Sequence, residues 1–130
     1  MITELYKQAI ARKKEPKTGS YTTYLFDKGL DKILKKVGEE ATEVIIAAKN
    51  ADKVEIANEA ADVFYHIAVM LAETGVTPAD IQAVLDARTG KQSNVHDRSE
   101  INDYETWSKD LFSSYGYNDK FAINLMTSFF

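Results

Sequence analysis

Apolar residues recur at three- and four-residue steps through most of positions 2–88, which predicts helices and no strands. Over Asp31–Lys49 the recurring positions are Ile33, Val37, Ala41, Val44 and Ala48, one stripe along a long helix. Over Lys53–Glu73 the same pattern runs through Ile56, Ala60, Val63, Ile67 and Leu71. A shorter amphipathic helix covers residues 2–14 through Ile2, Leu5, Tyr6, Ala9 and Ile10. Pro16 and Gly19 break it, and Ser20 reads as the N-cap of a short helix through Leu25 and Phe26 that Gly29 ends. Asp52, with Glu55 three residues on, caps the second long helix, and so short a link after Asn50 favours antiparallel neighbours. Thr77, Pro78 and Asp80 open another helix through Ile81, Val84 and Leu85 to Arg88. The pattern as a whole predicts an all-α, antiparallel helical bundle.

Beyond Arg88 the texture changes. Thr89–Ile101 is polar and reads as a linker, and Asn102 to Tyr115 then carries Tyr104, Trp107, Leu111 and Phe112 at helical spacing, with an apolar segment from Phe121 to Phe130. We therefore expect a domain over residues 1–88 and a C-terminal extension over 89–130, so aromatic that it packs on the bundle or on a second subunit.

The polar positions carry the chemistry. Counting about 100° per residue, Glu40 and Glu43 lie together roughly 50 to 100° from the middle of their stripe. Glu59 and Asp62, again three apart, lie beside the stripe of the second helix, and His66 continues that row. Antiparallel packing through the stripes brings the two pairs face to face. Like charges about 4 Å apart repel by ~4 kcal/mol at an effective dielectric of 20, so four carboxylates in one volume call for a counter-charge or for protons. Hard oxygen donors suit magnesium, with manganese as the alternative, and magnesium characteristically takes further oxygens from a substrate phosphate.

The net charge is only -4, but its distribution is polar: nine Lys or Arg against four acids over residues 1–36, three against ten over 37–88. A basic segment feeding an acidic one fits an anionic ligand held on a metal, and solvated surface charge is the plain alternative. Arg12, Lys13 and Lys14 close the first helix, where cations also suit the helix dipole. Lys36 shares the face of Glu40 and Glu43. Gly38 stands inside the long helix at a cost of ~1 kcal/mol relative to Ala, which asks for close approach or room for a ligand. His66 reads as a ligand or, more simply, as a hydrogen-bonded core histidine. With no cysteine there is neither a disulfide framework nor a thiolate metal site. No signal peptide opens the sequence and no apolar run approaches the ~20 residues of a membrane span, so the expected location is the cytoplasm, with neither a membrane nor a nucleic acid as partner.

The arrangement Glu39-Glu40-x-x-Glu43, then Glu59-x-x-Asp62 after fifteen intervening residues, resembles the metal motif of the all-α nucleotide pyrophosphatases of the MazG-like superfamily. More narrowly, Arg12-Lys13, Pro16, Ser20-Tyr21-Thr22, Leu25-Phe26, Gly29, Asp31-Lys32-Ile33, the run Lys35 to Ala41, Glu43, Ala47-Ala48-Lys49, Ala61-Asp62 and Tyr65-His66 resemble the phosphoribosyl-ATP pyrophosphohydrolases, a match over most of residues 4–88. The resemblance implies magnesium-dependent hydrolysis of the α–β phosphoanhydride of phosphoribosyl-ATP to phosphoribosyl-AMP and pyrophosphate, the second step of histidine biosynthesis. It implies Glu40, Glu43, Glu59 and Asp62 as metal ligands, and Glu39 beside Glu40 as a catalytic acid that orients water or holds a further metal. Lys36, Lys32 and Arg12 become the phosphate contacts, and the protein a homo-oligomer, a dimer or larger. A zinc cyclohydrolase fused to the family in some organisms needs cysteines this sequence lacks.

Two other readings stand beside this one. A housekeeping nucleoside triphosphate pyrophosphatase shares the metal motif and the fold, and the Ser20–Glu43 run argues against it. A non-catalytic helical interaction module has solvated acids and gains no stability from magnesium, whereas a true acidic metal site gains it by mass action.

Overall fold

The helices begin and end where the sequence supplies caps. The first, α1 (Ile2–Lys14), carries Arg12, Lys13 and Lys14 in its last turn, against the partial negative charge of the free carbonyls. The Ser20 hydroxyl accepts the Thr23 amide at 3.3 Å and starts α2 (Tyr21–Lys28), which stops at Gly29 with φ 90. The long helix α3 (Leu30–Lys49) follows directly. A turn through Ala51, at φ 54, leads to α4 (Lys53–Thr74), capped by Asp52, whose Oδ1 accepts the Glu55 amide at 3.1 Å. Gly75 ends α4 in the left-handed conformation. A reciprocal box opens α5 (Pro78–Arg88): Asp80 amide to Thr77 Oγ1 at 3.1 Å, Thr77 amide to Asp80 Oδ2 at 2.8 Å. The computed structural model describes residues 1–90, which form one compact, all-α unit; the extension expected over residues 89–130 lies, from residue 91 on, outside the described residues. Among the described residues no helix is long and apolar enough to cross a membrane.

The pair α3/α4 makes the most extensive contact, α1 lies on α4, and α2 bridges α1 to both long helices. Leu25, Ile33 and Val69 are fully buried, with Ala9 and Ala72, among Tyr6, Ile10, Phe26, Tyr65 and Met70. This core joins the start of α3 to the end of α4, the meeting expected of antiparallel neighbours. The remaining half of the α3/α4 interface holds the acids.

One feature of α3 differs from the sequence expectation. Its buried residues are Ile33, Glu40 and Ala47, seven apart, while Ala48 is exposed and Ala41 half-buried. The helix is rotated by about 60° from the stripe that apolar counting gives. Glu40 therefore lies on the midline of the buried face instead of at its flank. In α4 the expected Leu71 is buried, but so are His66, Ala68, Val69 and Ala72, because α1 and α2 cover the later turns from a second side.

Lys13 ties three helices together. Its Nζ lies 3.3 Å from Glu73 Oε2, donates to the Ala72 carbonyl at 3.3 Å, and stands 5.4 Å above the Phe26 ring. It thereby satisfies a carbonyl at the end of α4. Because Lys13 is partly exposed, Lys13→Met is expected to cost only ~1 kcal/mol, read as a lower urea midpoint at unchanged m-value.

Candidate metal centre

The antiparallel pairing of α3 and α4 brings Glu40, Glu43 and Glu59 together, each offering a carboxylate oxygen within 4.8 Å of the others'. Glu40 is 7% exposed, a burial carboxylates rarely tolerate without partners. Its partner on its own helix is Lys36, one turn earlier, whose Nζ lies 3.2 Å from Glu40 Oε1 and 2.9 Å from Glu39 Oε2. Lys35 adds a looser contact to Glu39 at 3.9 Å. The hydrogen bond from Lys36 to Glu39, then that to Glu40, holds the Lys36 ammonium well above the ordinary lysine range.

One cation among three clustered acids leaves charge uncompensated, and protons take up the difference. Glu59 is pushed up to about 8, chiefly by its hydrogen bond with Glu43, then by burial and by Glu40. Burial pushes Glu40 up too, but hydrogen bonds with Glu43, Glu59 and Lys36 outweigh it and bring it below the usual carboxylate range. For Glu43 the hydrogen bond with Glu59 pulls down, while burial and Glu40 raise it further, and it ends above the usual range. The three titrate as one unit, with the charge held at Glu40 and the proton at Glu59.

The donor set fits a hard divalent cation. Glu59 Oε2 is shielded from solvent and has no hydrogen-bond partner among the described residues, so an acceptor sits inside the cluster with nothing to accept. All three donors are carboxylate oxygens. A groove leads to them from the α3–α4 turn, lined by Ile46, Ala47, Asn50, Asp52 and Glu55 together with Glu43 and Glu59.

The other residues singled out in the sequence stand as follows. Asp62 is exposed, and its carboxylate is not among the three that converge. Its backbone carbonyl instead accepts from His66 Nδ1 at 2.7 Å. Lys32 is half-buried one turn before Lys36. Arg12 ends α1 with Nη1 on the Glu15 carbonyl at 3.5 Å, and among the described residues no ion pair joins it to the acids. Gly38, half-buried, accepts the Thr42 hydroxyl through its carbonyl at 2.9 Å.

Sequence reading does not foresee a hydrogen-bonded aromatic group beside the acids. His66 Nδ1 donates to the Asp62 carbonyl, and its Nε2 shares a hydrogen bond with the Tyr21 hydroxyl at 3.1 Å. His66 is buried at 3% exposure, which makes it the hydrogen-bonded core histidine rather than a converging ligand. The Thr22 and Tyr65 hydroxyls also share a hydrogen bond. Burial raises the Tyr21 hydroxyl above its ordinary range against the opposing pull of Lys36. The only sequence signal was the hydroxyl-rich run Ser20–Tyr24; its partners are 43 and 45 residues away.

Known proteins resemble the chain along this same stretch. The family model described as phosphoribosyl-ATP pyrophosphohydrolase matches residues 2–89. A phosphoribosyl-ATP pyrophosphatase of Streptococcus thermophilus is 75% identical over 104 residues, 80% of this chain and all of the relative. That of Streptococcus sanguinis is 68% identical over the same length and coverage. One from Listeria monocytogenes is 60% identical over 103 residues, 79% of this chain and 99% of the relative. With helices, acidic cluster and sequence similarity falling on the same residues, the chain belongs to the phosphoribosyl-ATP pyrophosphohydrolase family.

Proposed function

We propose that the chain hydrolyses the α–β phosphoanhydride of phosphoribosyl-ATP, releasing pyrophosphate and phosphoribosyl-AMP in the second step of histidine biosynthesis, with magnesium held by Glu40, Glu43 and Glu59. The observation that carries the reading is the convergence of these three carboxylates around an orphaned oxygen, in a chain of this family. Asp62, one residue short of a full turn beyond Glu59 on α4, is the fourth oxygen donor in this scheme. Magnesium there supplies Lewis-acid polarisation of the phosphoryl oxygens and a more acidic bound water.

The protein's own residues do the rest. Glu40 holds a fixed negative charge inside the interface, positioned by Lys36. Glu39, held by Lys35 and Lys36, is the acid that orients the attacking water. Lys36 leans on two carboxylates and is the cation placed to take over charge from a phosphate; Lys32 and Arg12 extend the basic approach. Pyrophosphate release from phosphoribosyl-ATP, beside a panel of ordinary nucleoside triphosphates with and without magnesium, tests the reading. Strong preference for phosphoribosyl-ATP, dependent on magnesium, is expected, and comparable turnover of the ordinary triphosphates would move the chain to the housekeeping class.

The same reading makes the protein a cytoplasmic homo-oligomer. Leu30, Leu34, Ile46, Val54 and Phe64 are each at least 39% exposed on the long helices, and α5 has no buried residue although it presents Ile81, Val84 and Leu85. So much apolar surface on so small a unit supports a second copy as its cover. Sedimentation equilibrium is expected to give a dimer or larger, and a monomer at micromolar concentration would contradict it.

A further inference from the structure

Resting on the function proposed above, the geometry points to a second element of the substrate site: Tyr21 and Tyr24 form a shelf on which the purine base of the nucleotide stacks, with the phosphates directed to the acidic cluster. The two residues lie one turn apart on α2, rings 6.0 Å between centroids and 21° from parallel. Tyr65 extends the stack behind Tyr21, at 6.2 Å and 25°. The packing needs of α2 are met by Leu25, fully buried, and by Phe26, which lies against the core. Tyr21 and Tyr24 are left 44% and 41% exposed. The exposed parts of these aromatic faces offer a flat, π-rich partner a surface.

The shelf is held in place. Tyr21 is pinned through its hydroxyl to His66, itself fixed on the Asp62 carbonyl, so little ordering remains to be done on binding. Beside the tyrosines lies a cavity of about 700 Å³, walled by Pro16, Lys17, Ser20, Tyr21, Tyr24 and Asp27. That volume falls in the ~300–1,000 Å³ range of ligand pockets. The Lys28 ammonium stands 5.8 Å over the Tyr24 ring, and Lys17 adds a second cation at the wall. Aromatic face, flanking cations and a carboxylate able to accept from an exocyclic amine together describe a nucleotide's base with its anionic end close by. Tyr21 is tied through His66 to the Asp62 carbonyl, three residues beyond Glu59 on α4, so a base on this shelf and an α–β anhydride at the carboxylates are the two ends of one ligand.

The test compares adenosine monophosphate with ribose 5-phosphate, which shares the sugar and phosphate but lacks the base. Both are titrated into the full chain without magnesium, followed by NMR, for the wild type, Tyr24→Leu and Tyr24→Phe, with thermal melts confirming that each variant folds. Base stacking on an aromatic side chain predicts an advantage of about tenfold for the adenine nucleotide in the wild type. The advantage should vanish in Tyr24→Leu and return in Tyr24→Phe. Equal affinity for the two ligands in the wild type, no binding of adenosine monophosphate, or an advantage that survives Tyr24→Leu would each overturn the shelf. Because this titration needs no turnover, it separates the two claims. A wild type inactive on phosphoribosyl-ATP that still discriminates the base loses the function and keeps the shelf, and an active enzyme indifferent to the base does the reverse.

Discussion

Glu40→Gln is expected to lower pyrophosphate release by at least about 10²–10³-fold, the size of effect seen when a fixed electrostatic contact to the reacting group is lost, while leaving the metal-free protein folded. The substitution preserves shape and hydrogen-bonding capacity but removes the one charge that Lys36 and the neighbouring carboxyls hold ionised inside the α3/α4 interface. Two opposing terms act on stability. The Lys36 contact and the hydrogen bonds from the neighbouring carboxyls weaken, but a neutral amide no longer carries the desolvation penalty of a charge buried at 7% exposure. The melting temperature in the presence of a chelator should therefore hold or rise even as activity collapses. Loss of both fold and activity would mark Glu40 as a structural acid, and near wild-type activity would remove it from the metal centre.

The acidic cluster also makes a pH prediction whose sign is opposite to that of most carboxylates. Glu59 sits at about 8 in the folded protein against an ordinary 4.5, so the folded state binds more protons than the unfolded one between those values. The contribution of Glu59 to the stability of the metal-free protein is thus fully present below about pH 4.5 and is lost as pH rises towards 8. Glu43, also raised, acts in the same sense, and Glu40, lowered, acts only in the acid range below the usual carboxylate value. A fall of ~5 °C between pH 5 and pH 8, equivalent to ~1 kcal/mol in a unit of this size, is expected by calorimetry in chelator. Glu59→Gln, which mimics the protonated acid, should flatten the slope. Magnesium takes the place of the protons, so its stabilising effect grows with pH. At 100 times its dissociation constant it adds ~2.7 kcal/mol, or roughly 10–20 °C. A melting temperature that magnesium does not move at pH 8 would favour the interaction-module reading.

The helix boundaries were legible in the sequence because they are written locally. Ser20, Asp52 and the Thr77–Asp80 box each start a helix at the expected place, and Gly29 ends one. The acids Glu40, Glu43 and Glu59 were legible from their spacing and from the resemblance their neighbours carry. The rotation of α3 was not. Counting apolar positions gives Ala41 and Ala48 the same weight as Ile33, whereas the face that turns inward is set by what α2 and α4 present to it, so Glu40 rather than Ala41 lies on the buried midline. The tie from Tyr21 to His66 was equally hidden, because neither residue's neighbours in sequence reveal a partner 45 positions away. The second part of Asp62 was hidden in the same way: beyond its spacing from Glu59, its backbone carbonyl fixes His66, a contact that no count of side-chain positions reveals.

Manganese uptake, followed by the loss of its free-ion electron paramagnetic resonance signal, tests the metal centre most directly. The wild type is expected to take up manganese at neutral pH and to release it to magnesium, and the double variant Glu40→Gln, Glu59→Gln to take up none at the same concentrations. Undiminished uptake by the double variant would contradict the metal assignment.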